Sequence, residues 1–164
     1  MLNGKHMTSN SIAKDLAIKI IKKEEGWREK PYHCSEGFLT VGWGRKISNI
    51  KNAPIPAIAV NKKEEEKFLV DNVEFILDSL EKRFKAQWLN IGNTRKAVMV
   101  SMVYQLGLGG FIGFKNMLKA IDNLDFNTAA KEMLDSKAAK QVPNRFRRNA
   151  NMMISDSLDV YYGD

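Results

Sequence analysis

Residues 25–44, EGWREKPYHCSEGFLTVGWG, constrain this chain more than any other stretch. Pro31 and Gly37 mark turns, and the run from Phe38 to Trp43 alternates in β-type residues. Arg28, Glu29, Tyr32, His33, Cys34 and Thr40 crowd the same short region. A segment this dense in polar groups and glycines cannot be packed core. It reads as the wall of a cleft, with the carboxylate of Glu25 placed where a helix hands over to a loop.

The helix before it follows from Ile12, Leu16, Ile20 and Ile21, which recur at helical spacing with lysines between them. Ser9 or Ser11 is the expected cap, Glu24 the approximate last residue, and Gly26 the stop. A small antiparallel sheet is expected over about residues 32–47. Residues 48–60 hold Pro54 and Pro56 without helical period and read as an irregular connection. Asn61 followed by Glu64 fits a capping box, and Leu69, Val73, Ile76, Leu80 and Phe84 carry a helix over about 62–83. Asn93 or Thr94 is expected to cap the next helix. Its residues Ala97–Val100, Met102 and Val103 are apolar on every side, which marks the buried central helix. Gly107, Gly109, Gly110 and Gly113 break the chain. Short amphipathic helices follow at 114–121 and 126–134, with Asn123 and Asn127 at their boundaries. Pro143 is expected to open a last helix pair bearing Arg145, Arg147 and Arg148. The sum is a mostly helical α+β chain.

The length of 164 residues suits one domain or two small lobes sharing a core, and a hydrophobic content of 44% supplies that core. The divisions expected are a leader at 1–11, a first helix at 12–24, a β-containing lobe at about 27–62, a connecting helix at about 62–83, and a helical lobe at about 84–164. Either Met1 or Met7 serves as the start. The net charge of +7 favours an anionic partner: nucleic acid, acidic membrane or acidic wall polymer. The basic residues are spread along the chain rather than gathered on one recognition helix, which argues against nucleic acid. One cysteine, Cys34, excludes an internal disulfide. The first 24 residues contain no apolar run long enough for a signal peptide or membrane anchor, so cytoplasmic synthesis without stable membrane insertion is expected. His6 and His33 are the only histidines, so no metal site and no cofactor is expected.

Glu25-Gly26, Arg28, Tyr32, Cys34, Gly37, Thr40-Val41-Gly42 and Gly44, at these spacings, resemble the signature of the T-even phage type lysozymes, glycoside hydrolase family twenty-four. The resemblance continues through Met102–Gly107, Gly113-Phe114, Ala129-Ala130 and Pro143–Arg145, and covers about residues 12–158. It implies a lysozyme-like fold: a small β-containing lobe and a larger helical lobe, joined by a long helix, with the active cleft between them. It also implies hydrolysis of the β-1,4 bond between N-acetylmuramic acid and N-acetylglucosamine in bacterial peptidoglycan by a monomeric phage or prophage endolysin. That enzyme is made in the host cytoplasm and reaches the wall after a separate membrane-permeabilising protein lets it out.

A glycosidic bond breaks when its leaving oxygen is protonated as positive charge builds on the sugar. By this resemblance Glu25 is the general acid. Burial at a helix end disfavours a carboxylate's charged form, while Arg145, expected beside it, favours that form and orients it. Most of the family carries aspartate where this chain has Cys34, although some relatives share the cysteine. Cys34 is open to three roles: thiolate base, nucleophile, or a hydrogen-bonding group that holds water. Thr40 matches the residue that helps to hold that water. Cys34 and Thr40 activating water on the face opposite Glu25 is the favoured reading. His33 is adjacent in sequence, but strand neighbours point to opposite faces, so a His33–Cys34 pair is not assumed. Tyr104, Gln105, Lys46, Met117 and Glu132 match substrate-contacting positions, and the last two depart from the usual residue types there, as does Lys46. Trp27, Trp43 and Trp88 read as packing residues.

Two other readings compete. A lytic transglycosylase would use Glu25 alone and close an anhydro ring with the sugar's own 6-hydroxyl. A non-catalytic module would use its charge to hold wall polymer or nucleic acid.

Overall fold

The structure is a computed structural model and describes residues 9–158. Of the expected leader at 1–11, residues 1–8, including His6, lie outside the described residues, and residues 9–11 already belong to the first helix.

Helix α1 spans Ser9–Glu25. It starts earlier than the apolar repeat indicated, so Ser11 lies inside its first turn rather than at a cap. Gly26 ends it, donating its N–H to the Lys22 carbonyl at 3.0 Å. Three antiparallel strands follow in the order β1-β2-β3: β1 at Arg28–His33, β2 at Leu39–Gly42 and β3 at Arg45–Lys46. The sheet begins four residues before the expected Tyr32, because Arg28 already pairs with Gly42 across a bulge. Residues 48–60 form neither helix nor strand. They cover the free edge of β1, where the Val60 N–H donates to the Glu29 carbonyl at 2.9 Å.

Helix α2 occupies Lys62–Phe84. Its cap is the expected one: Asn61 Oδ1 accepts the Glu64 N–H at 3.1 Å, a contact typically contributing about 1 kcal/mol. A 3₁₀ turn at Lys85–Asn90 follows and buries Trp88 completely. The Trp88 indole N–H donates to Asn10 Oδ1 at 2.8 Å, tying the turn to α1.

Helix α3, Asn93–Ile112, is the buried centre, with every residue from Thr94 to Val103 except the half-buried Arg95 enclosed. Neither Asn93 nor Thr94 caps it. Gly92 holds the cap position, and Asp156 at the far end of the chain supplies the missing acceptor, taking the Arg95 N–H at 3.1 Å. A side chain at Gly92 would collide with that carboxylate. The helix is kinked at Gly107 and runs on through Gly109 and Gly110.

Helices α4 (Lys115–Asp122) and α5 (Phe126–Leu134) match the expected short pair. Asn123 ends α4, but Asn127 lies inside α5. Asp125 is that helix's cap, accepting the Thr128 N–H at 3.1 Å. Pro143 opens only the last helix, α7 (Pro143–Ser155); α6 (Lys137–Gln141) precedes it. One apolar cluster joins α1 to α7 and takes in Trp43 from the sheet side. Among the described residues no single helix is long and apolar enough to cross a membrane.

Candidate active site

The sheet and the helices enclose a cleft of about 1090 Å³. Glu25, Cys34, Thr40, Lys46, Tyr104, Gln105 and Arg145 all line it. Met117 and Glu132 do not. They line a neighbouring hollow of about 510 Å³ between α4, α5 and α6, which adjoins the cleft at Leu106 and Ala138. Met117 is fully buried there.

Glu25 is the last residue of α1, so its backbone is held by a packed helix while its side chain turns into the cleft. The carboxyl end of a helix is an unfavourable place for negative charge. Two arginines of α7 offset this for Glu24 and Glu25. Arg145 Nη1 donates to Glu25 Oε1 at 2.9 Å, and its Nη2 donates to the Ser101 hydroxyl at 3.2 Å. Arg148 grips Glu24 with two hydrogen bonds of 2.7 and 2.9 Å. Arg145 is itself buried, so its direction is set by these partners rather than by solvent. The other Glu25 oxygen, Oε2, lies so close to the backbone of Gly44 that an added Cβ would sit 2.7 Å from it.

Across the cleft, Tyr32, Cys34 and Thr40 share one face of the β1–β2 hairpin. Tyr32 pairs directly with Thr40, and Cys34 is two residues further along β1's direction. His33 projects the other way, and its Nε2–H donates to the Ala53 carbonyl at 2.7 Å. The two neighbours therefore do not interact, as strand alternation requires. The Thr40 hydroxyl donates to the Phe38 carbonyl at 3.0 Å.

Burial pushes the Cys34 thiol up, but hydrogen bonds to its sulfur from the backbone N–H groups of Phe38 and Glu36 and from the Thr40 hydroxyl outweigh that. The net result is a thiol ionising below its ordinary value, even against the nearby Glu36 charge. Thr40 has only one hydroxyl proton, so the Phe38 carbonyl and the Cys34 sulfur compete for it. Tyr32 is displaced oppositely: burial first, and then the Glu25 charge, raise its phenol above the usual range.

Among the described residues Gln105 Oε1 is buried without a hydrogen-bond partner, an acceptor left open to a ligand's hydroxyl or N–H. The Lys46 ammonium lies over the Phe38 ring, 3.8 Å from its centroid. Trp43 and Trp88 are core residues, as expected, and Trp27 packs on Trp43 at 4.6 Å between centroids.

One feature of this cleft is not marked by any local sequence pattern, the pair of Arg45 and Glu65. Arg45 donates to both Glu65 oxygens, at 2.8 and 2.6 Å, and Glu65 is almost fully enclosed. Glu65 stands within the run Glu64-Glu65-Glu66, which reads as a solvated first helical turn. Only the inward stripe position, four residues before Leu69, hints that this one carboxylate points into the fold. Among the described residues no group of three or more His, Cys, Asp or Glu gathers as a metal ion would need.

The family model described as "Phage lysozyme" matches residues 22–151 of this chain. A probable T4-type lysozyme 1 of Dictyostelium discoideum is 28% identical over 162 residues, covering 87% of this chain and 95% of that protein. A probable T4-type lysozyme 2 of the same organism is 25% identical over the same shares of both chains. An endolysin of Bacillus phage B103 is 29% identical over 119 residues, 71% of this chain, and this chain spans under half, 42%, of that longer protein.

Proposed function

This chain belongs to the phage lysozyme family and is a glycoside hydrolase of peptidoglycan, and on that premise we propose that it is a muramidase cutting the β-1,4 bond between N-acetylmuramic acid and N-acetylglucosamine. The observation that carries this reading is the opposition of Glu25, at the end of α1, to Cys34 and Thr40 on the sheet, all lining one cleft. In this reading Glu25 protonates the leaving oxygen, using the carboxyl oxygen that Arg145 does not hold. Cys34 as thiolate draws a proton from a water that Thr40 helps to position. That water attacks the anomeric carbon from the face opposite Glu25, so the configuration inverts. Tyr104 and Gln105 meet the sugars, since an aromatic face and an amide suit C–H faces and hydroxyl or acetamido groups. The net charge of +7 favours approach to an anionic wall. Host lysis, after release by a separate membrane-permeabilising protein, is the setting in which such a cut is useful.

Mass spectrometry of muropeptides released from purified sacculi tests the reading. Reducing N-acetylmuramic acid ends are expected. Anhydro ends would mean that the sugar's own 6-hydroxyl, not water, closes the reaction, and would replace the muramidase with a lytic transglycosylase. Absence of any released fragment would leave only a wall-binding module.

A further inference from the structure

The turn between β2 and β3, Gly42-Trp43-Gly44, is seated on three helices at once. Gly42 has φ +59° and rests on Glu65 of α2: an added Cβ would lie 2.8 Å from Glu65 Oε2. Gly44 has φ +76° and rests in the same way on Glu25 of α1. Both positions therefore demand glycine twice over, by backbone angle and by space. Between them, the Trp43 carbonyl accepts the Tyr104 hydroxyl of α3 at 2.5 Å. The Trp43 ring is pinned against Trp27, with the Lys22 ammonium 4.5 Å from its centroid.

Two of these three seats are contacts of fit: a glycine backbone lying on a carboxylate does not by itself hold position. The Tyr104 hydrogen bond is directional and reaches the turn itself, whereas the Arg45–Glu65 pair ties the start of β3 to α2. Thr40 and the turn share strand β2, with only Val41 and Gly42 between Thr40 and Trp43. Whatever fixes the Trp43 carbonyl therefore fixes Thr40, and through the hairpin Cys34, relative to Glu25.

We propose that Tyr104 is a positioning residue of the reaction: its hydroxyl holds the β2–β3 turn against Glu25 and so sets the separation between the acid and the water-holding pair. This rests on the muramidase reading. It also gives the Tyr104 hydroxyl a task other than sugar binding, because its single proton is committed to Trp43. Burial, followed by the Glu25 and Glu65 charges, keeps the phenol protonated far above neutral pH, so the donor is never lost. A misplacement of about 1 Å in such a constellation lowers turnover by up to roughly 10²-fold, without touching substrate affinity.

Tyr104→Phe keeps the ring and its burial and removes only the hydroxyl. Two measurements are made on it. Native-state amide exchange is expected to quicken at Gly44, Arg45 and Lys46 and to stay unchanged along α1. On soluble glycan strands, kcat is expected to fall about 10-fold while KM stays within about 2-fold. A raised KM with unchanged kcat would make the Tyr104 hydroxyl, and not only its ring, a sugar contact and overturn the proposal, as would unchanged exchange at the turn or unchanged kcat. The exchange result needs no turnover. If the wild-type chain releases no reducing ends, the muramidase reading fails, and the proposal fails with it even where the turn loosens as expected.

Discussion

Glu25→Gln is expected to stop clearance of a peptidoglycan suspension, with kcat lowered roughly 10²- to 10⁴-fold, the range attributed to a positioned general acid. The substitution is chosen for what it leaves in place. The glutamine carbonyl oxygen can still accept from Arg145 Nη1, as Glu25 Oε1 does at 2.9 Å. Its amide occupies nearly the same volume beside Gly44, and Glu24 remains gripped by Arg148. What disappears is the proton that a carboxylic acid can deliver to the leaving oxygen. The substrate contacts proposed for Gln105 and Tyr104 stay, so KM is expected to change little. Turbidity rates and thermal melting measured together separate the lost proton from a lost fold. Clearance at the wild-type rate by a folded Glu25→Gln protein would refute the acid assignment and, with it, the glycosidase geometry built on α1.

The second large effect lies at Cys34, and it is read from the pH profile rather than from one rate. A thiolate base works only when ionised, and Glu25 must still hold its proton, so on the acid side of the profile activity rises with pH as the thiolate fraction grows. Hydrogen bonds to the sulfur place that ionisation below the ordinary thiol value, so the rise comes at lower pH than for a free cysteine. Cys34→Asp should move the rise further into acid, because an unperturbed aspartate ionises near pH 3.9, and should retain substantial activity at pH 5. Cys34→Ser keeps a hydroxyl that can hold water but cannot ionise in this range, and is expected to lose about 10²-fold. Cys34→Ala should lose at least as much. Equal activity of the serine variant and wild type across pH would reduce Cys34 to a water-holding group. Full activity of the alanine variant would remove it from the chemistry.

Much of this fold is legible in the sequence wherever one residue decides a local geometry. Asn61 announces α2 because its side chain reaches an N–H three residues away, and Gly26 ends α1 within the same turn of chain. The cleft motif is legible for a similar reason: Tyr32, Cys34 and Thr40 are near neighbours, and strand alternation puts them on one face. What was not legible depends on contacts distant in sequence. The cap of α3 is Asp156, 61 residues from the Arg95 N–H that it accepts, and no local pattern marks Gly92 as the cap position. Asn127 looked like a helix boundary because asparagine favours caps, but Asp125 stands where the chain actually turns. Glu65 hid in a run of three glutamates, since charge alone does not say which carboxylate faces inward. Met117 and Glu132, expected among the sugar contacts, line a hollow that adjoins the cleft at Leu106 and Ala138, a placement set by how α4, α5 and α6 pack and not by any local pattern.

Attack by water from the face opposite Glu25 is the step on which the muramidase proposal stands, and the anomeric configuration of the first product reports it directly. Proton NMR of soluble glycan strands, recorded during early turnover before mutarotation, resolves the two anomers of the newly formed reducing end. Inversion of a β-linkage yields the α-anomer first, and that is the predicted signal. The β-anomer appearing first would mean a double displacement through a covalent intermediate instead of direct attack by water, contradicting the role assigned to Cys34 and Thr40.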